Sequence, residues 1–186
     1  MRYMLATTVF ALVATGAAAA PPHVHGVAAV DVALDGRRLE IDVDAPLENF
    51  VGFEHAPRSG KEREAVERMV ATFARPEALF APSAAAACAV KSVQLASPVI
   101  DSSLLVAHGV TALPAAQSHE EAGHADLDAA IVFDCARPES LERLDVRMFA
   151  AFPRVHRVDA QVVTSERQFA ARLTASANAI VFRGSQ

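Results

Sequence analysis

The strongest structural signal in this sequence is a predicted β-hairpin close to the N-terminus. Residues 27–34 and 37–44 flank the pair Asp35-Gly36, and in the second segment apolar side chains alternate with charged ones. An Asp-Gly pair between two alternating segments is typical of a tight type I′ turn, because glycine tolerates the positive φ that this turn requires. The pattern predicts two half-buried antiparallel strands that bury Leu39, Ile41 and Val43 on one face.

The rest of the chain predicts one helix and several further strands. Ser59 and Glu62 have the spacing of a capping box, and apolar residues then recur at helical spacing until Pro76 ends the pattern. Residues 46–57 lack any periodicity and are interpreted as an apolar loop that packs onto the core. Strands are predicted at residues 88–95, 104–110, 126–135, 144–149, 155–163, 169–174 and 178–182. We therefore predict an α+β fold, with a mainly antiparallel β-sheet and one principal helix in a single domain.

The N-terminus has the composition of a signal peptide. Arg2 precedes an apolar segment at residues 4–14, and the small residues 17–20 follow it. We predict a signal peptide at residues 1–19 and a single α+β metal-binding domain at residues 20–186. Residues 20–186 contain no further apolar segment of membrane-spanning length, so no membrane insertion is expected after cleavage. The formal net charge of −5 argues against nucleic acid as a partner.

The chain has two cysteines, Cys88 and Cys135. In an oxidising compartment a single pair is most simply one disulfide. The alternative is that both are metal thiolates, although neither has a second cysteine at the C-x-x-C spacing of most zinc sites.

Two groups of histidines and carboxylates could bind a transition metal. His23 and His25 are two residues apart, so in an extended chain both imidazoles point to the same side. His124 and Asp126 have the same spacing at the start of the strand predicted at residues 126–135, and His119 lies just before them. Neutral imidazole suits zinc, copper or nickel, and nitrogen and oxygen ligands of this kind satisfy a tetrahedral zinc ion. The alternatives are a solvated N-terminal tail for the first group and an acidic surface loop for the second.

Glu54 and His55 lie within the apolar segment 46–57, where they could be ligands or could bond to backbone groups. His108 and His156 stand alone and are interpreted as surface or core residues. None of the usual hydrolase, metalloprotease, phosphate-binding or dinucleotide-binding motifs is present, so we do not expect an enzyme.

Several of these segments, in this order, are similar to one known family. The chain contains PHVHG, then NFVGFEHAP, then a helix, a lone cysteine, and HADLDAAIVFDC followed by LDVRMFAAFP. It resembles the ZrgA-like family of zinc-regulated periplasmic zinc-binding proteins. The resemblance implies a periplasmic protein that binds zinc for acquisition or buffering, with a zinc importer or its binding protein as partner, and leaves room for a homodimer. The positions it implies are the ligands His23, His25, Glu54, His55, His124 and Asp126, and the disulfide Cys88–Cys135.

The chain departs from that family in one respect. Members often carry a long His/Asp-rich segment before the H-x-D strand, whereas here only His119 and His124 remain of it. This argues against high-capacity buffering by a histidine tract. The alternative function is an envelope protein–protein interaction module, in which a sheet edge or the apolar loop at residues 50–56 docks a partner and the histidines are incidental.

Overall fold

The structure is a computed structural model that describes residues 24–114 and 125–182. The predicted signal peptide and most of the loop before residue 126 lie outside these residues. The described strands are β1 Val27–Asp35, β2 Arg38–Pro46, β3 Phe80–Pro82, β4 Cys88–Ala96, β5 Thr111–Ala112, β6 Asp126–Cys135, β7 Arg143–Val146, β8 Arg157–Thr164, β9 Gln168–Leu173 and β10 Ala179–Val181. The α-helices are α1 Glu48–Val51, α2 Gly60–Phe73, α3 Ser102–Leu105 and α4 Met148–Ala151. Short 3-10 turns occupy Pro76–Ala78, Ala84–Ala86 and Pro138–Ser140.

The strands form two sheets. The larger has the order β5-β4-β6-β2-β1-β8-β9, and the smaller has the order β10-β7-β3. Neighbours are antiparallel except for β1 with β8 and β4 with β5, which are parallel. The expected β-rich fold is confirmed. Among the described residues, none of the helices has the length and apolar character that crossing a membrane would require.

The predicted hairpin is present, with its turn shifted by one residue. β1 and β2 are antiparallel, and Leu39 and Ile41 are buried as the alternation predicted. Asp35 pairs with Arg38, so the turn consists of Gly36 and Arg37 and not of Asp35-Gly36. Only the glycine of that turn has a positive φ, of 52°. The first turn position is therefore the one that needs the positive φ that glycine tolerates. Asp35 is the last residue of β1 and not part of the turn.

Helix α2 begins and ends where the sequence indicated. Ser59 and Glu62 form the reciprocal hydrogen bonds of a capping box. The backbone N–H of Arg58, with a further contribution from that of Ser59, lowers the pKa of the Glu62 carboxyl. The buried face of the helix ends in Phe73, whose ring packs against Phe50 at 5.6 Å and Phe152 at 5.5 Å. The helix thereby covers the loop that follows β2.

Three predicted segments differ from the structure, one of them throughout and two of them in part. Residues 104–110 are not a strand, because α3 ends at Leu105 and the positive φ of His108 (55°) and Gly109 (87°) then turns the chain. The segment predicted as a loop after β2 contains the helix α1, which is too short to show a helical period. The strand predicted at residues 144–149 is present but ends at Val146, because the chain leaves the strand at Arg147 (ψ 10°) and forms α4.

Strand β6 is present as predicted, and it is buried on both faces. It lies between β4 and β2, and each of its residues except Asp134 is buried. Asp126 and Asp128 are only 6% and 5% exposed, so they do not form an open polar face. Buried carboxylates need compensating contacts, and both residues interact with other groups.

The two cysteines form the expected disulfide. Cys88 opens β4 and Cys135 ends β6, and the two are direct partners in the register of these strands. An S–S bond joins them. The alternative of two metal thiolates is therefore wrong.

Candidate metal site

Three side chains converge next to the start of β1 and the end of β2. His25 Nε2 lies 2.9 Å from Glu54 Oε1, and His25 Nδ1 lies 3.2 Å from Glu48 Oε2. The three ligand atoms that these residues offer all lie within 4.8 Å of one another. The group thus supplies one imidazole and two carboxylates, a donor set that zinc accepts.

A short reversal of the chain after β2 brings the two glutamates together. Leu47 is fully buried, and its N–H donates to Ala125 O at 2.8 Å. Helix α1 then makes a single turn and ends at Gly52, whose φ of 87° is accessible at little cost only to glycine. The chain turns back there, so Glu54 returns to face Glu48, the first residue of the helix.

A buried asparagine fixes His25 relative to that turn. Asn49 is 1% exposed. Its Oδ1 accepts from Gly26 N at 2.7 Å, and its Nδ2 donates to Val27 O at 2.9 Å. Because Asn49 follows Glu48 and Gly26 follows His25, these two hydrogen bonds hold the histidine and one carboxylate in a common frame.

Replacing Asn49 with alanine is expected to lower the free energy of unfolding by about 2 kcal/mol, because a buried N–H and a buried carbonyl lose their partner. Urea unfolding followed by circular dichroism measures this difference. Asn178→Ala is a matched control, since the backbone carbonyl of Asn178, which the substitution retains, accepts from Val146 N. A loss for Asn49→Ala no larger than that of the control would contradict the role given to Asn49.

The turn before β8 lies against both ligand-bearing segments. Parallel pairing of β1 with β8 places the starts of these strands side by side. His156 N donates to Gly26 O at 2.8 Å, and the His156 ring lies over Gly26, where a Cβ atom would be 2.9 Å from its Cδ2. The Arg154 guanidinium lies over Gly52, where a Cβ atom would be 3.0 Å from its Nη2. His156, which the sequence left as an isolated residue, thus packs beside the segment that carries His25.

The electrostatics of the group favour a cation. Its side chains are partly open to solvent, with exposed fractions of 65% for His25, 31% for Glu48 and 40% for Glu54. Two carboxylates lie beside one imidazole, so the negative charge of the group attracts a positive ion placed among the three side chains.

The other predicted ligands are placed differently. His55 Nδ1 donates to Ala56 O at 2.9 Å, and its ring stacks on Phe53 at 5.1 Å, which is the structural alternative considered for this residue. Asp126 lies on β6 opposite Pro46, buried beside the cross-strand pair Asp44 and Asp128. His23, His119 and His124 lie outside the described residues. Of the predicted ligands that the structure describes, His25 and Glu54 are brought together, and Glu48 joins them.

Glu48 is not among the ligands predicted from the sequence. Within residues 46–57 it is, apart from Glu54, the one acidic residue, and that isolation in an apolar segment was the available signal. Its six-residue separation from Glu54 does not predict that the two carboxylates are close together, because that depends on the turn that α1 makes.

Comparisons with known proteins bear on this site. A family model described as "ZrgA family zinc uptake protein" matches residues 22–182, which include the three converging residues and both cysteines. A comparison with curated protein sequences finds no significant match.

Proposed function

This chain belongs to the ZrgA family of zinc uptake proteins, and on that premise we propose that it binds zinc in the periplasm and makes the ion available for import. The observation that carries the proposal is the convergence of His25, Glu48 and Glu54 within 4.8 Å of one another. The zinc ion is cargo in this role, and the protein is a carrier and not an enzyme. The predicted signal peptide at residues 1–19 supports the periplasmic location.

Partial exposure of the three residues suits such a carrier. A structural zinc site is closed by four protein ligands, whereas this group offers three and leaves a position for water or for a further ligand. His23, two residues before His25, is the predicted further ligand. An open position also lets a receiving protein, such as an importer or its binding protein, approach the ion directly. The second group predicted from sequence, His119, His124 and Asp126, remains a candidate for an additional ion.

The interaction-module alternative has less support from the apolar loop. Phe50 is buried and packs edge-to-face on Phe152 at 4.9 Å, and Leu47 is fully buried. Phe53 is half-buried and stacks on His55. Most of the apolar surface that could have docked a partner is therefore used to attach the loop to the core.

Zinc titration of the purified protein by isothermal titration calorimetry tests the proposal. We expect stoichiometric, saturable binding that weakens on acidification from about pH 8 to about pH 5, because protons compete with zinc for imidazole and carboxylate. A variant with His23, His25, His119 and His124 all changed to alanine is expected to lose this binding. Weak, non-stoichiometric binding that is equal in both proteins would reject the zinc proposal and favour the interaction module.

A further inference from the structure

We propose that Arg154 limits how tightly the site retains zinc, by competing with the ion for Glu48. The inference rests on the proposed function and concerns the regulation of the same site. Arg154 Nε lies 3.8 Å from Glu48 Oε1, while Glu48 Oε2 faces His25. One carboxylate is thus shared between the guanidinium and the imidazole.

The position of this guanidinium is built into the fold. Arg154 lies in a tight turn between the buried residues Phe152 and Val155, where Val155 N donates to Phe152 O at 2.9 Å. Its side chain passes over Gly52, so close that any Cβ atom there would meet the guanidinium at 3.0–3.2 Å. The absence of a side chain at residue 52 leaves the space that Arg154 occupies. The turn and this gap therefore place the charge beside Glu48.

The positive charges of Arg154 and of the zinc ion repel each other, so Arg154 weakens zinc binding. A guanidinium stays protonated over the whole physiological range, so its charge is constant. It stabilises the pair of carboxylates when no ion is present. When zinc binds, the same charge repels the ion, and the ion draws the Glu48 carboxylate away from the guanidinium, so part of their attraction is lost. Both effects raise the dissociation constant and speed release, as a protein that passes its ion to a partner requires.

The solvent exposure of Arg154 and Glu48 determines how much the guanidinium changes the zinc dissociation constant. Arg154 and Glu48 both contact solvent, so screening reduces their interaction to the range of surface ion pairs. We expect Arg154→Gln to lower the zinc dissociation constant about fivefold, the upper end of what one exposed charge contributes. The rate of zinc transfer to a fluorescent chelator should fall by a similar factor. Both differences should shrink at about 1 M salt, where the Debye length is only a few ångströms.

Two further variants make the test specific. Lys91→Gln removes the same charge at the opposite end of the larger sheet, where Lys91 pairs with Asp134 at 3.6 Å, and should leave the zinc dissociation constant unchanged. Arg154→Met removes the charge but keeps a long unbranched side chain at this position, and should reproduce the tighter binding of Arg154→Gln. Thermal unfolding without zinc identifies any variant that is not fully folded, and the comparison then uses the folded one.

The outcomes separate the inference from the proposed function. If the wild-type protein binds zinc and the Arg154 variants bind it equally or more weakly, Arg154 positions Glu48 and does not compete for it, and the inference is overturned. If the wild-type protein binds no zinc, the proposed function fails first and takes the inference with it. Tighter, slower-releasing binding in both Arg154 variants, but not in Lys91→Gln, supports the inference.

Discussion

Replacing His25 with alanine is expected to weaken zinc binding at least about 100-fold, since loss of even an outer hydrogen-bond partner of a metal ligand typically costs 10–100-fold. His25 is the sole nitrogen donor of its group and contacts both carboxylates, at 3.2 Å and 2.9 Å. Without it the two glutamates remain as an exposed acidic pair, which holds divalent ions weakly and with little preference for zinc. Competition with a chelating fluorescent dye measures the change.

A matched control is available for this substitution. His108 is an exposed histidine in the turn after α3, and it has a φ of 55°. Asparagine tolerates that conformation well, so His108→Asn removes one imidazole without straining the backbone. It should bind zinc like the wild-type protein. An affinity of His25→Ala within about threefold of this control would be too small a loss for a metal ligand and would place the zinc site elsewhere.

Removing the disulfide by the double substitution Cys88→Ala and Cys135→Ala is expected to lower the free energy of unfolding by about 4 kcal/mol in the chain-entropy model. The bond closes a loop between residues 47 positions apart, and that loop contains β4, α3, β5 and β6. Without the bond the unfolded chain gains the freedom that the closed loop denies it. Guanidinium unfolding of the oxidised wild type and the double variant measures the difference, and reduced wild type should match the variant.

The disulfide variant also separates stability from zinc binding. Cys135 N donates to Arg37 O at 2.8 Å, so the bond lies at the start of β2, whereas the candidate metal site follows the end of that strand. The folded double variant should bind zinc as tightly as the wild type. A stability loss below about 1 kcal/mol would contradict the entropic account. A large loss of zinc affinity in folded protein would mean that the two ends of the sheet are coupled.

Local sequence signals predicted most of the helices and strands. They failed where the structure of a segment depends on residues that are distant in sequence. The alternation in β2 and the capping box of α2 depend on neighbours in sequence, and both elements were predicted correctly. The two-sided burial of β6 depends on its central place between β4 and β2, which alternation cannot reveal. The helix α1 was missed because a single turn shows no period, and its formation depends on packing of Phe50 against distant rings.

The candidate metal site was likewise predicted only in part from the sequence. Residue type and spacing made His25 and Glu54 candidate ligands, because a histidine pair near the N-terminus and a polar pair in an apolar loop are visible in the sequence. Glu48 and Arg154 were not identified. Their contact needs the α1 turn on one side and the parallel pairing of β1 with β8 on the other, which brings together residues that are far apart in the chain.

That parallel pairing also dictates an order of assembly. Val27 lies opposite Arg157, so nearly all of the described chain must be made before the first strand can take its place between β2 and β8. Pairings over such sequence distances carry a large loop-closure entropy and slow the folding of β-rich proteins. β1 can pair early with β2 as a local hairpin, but the turn bearing Arg154 and His156 arrives late. His25, Glu48 and Glu54 all precede residue 55, so in a nascent or partly translocated chain they would lack the neighbouring Arg154 and His156.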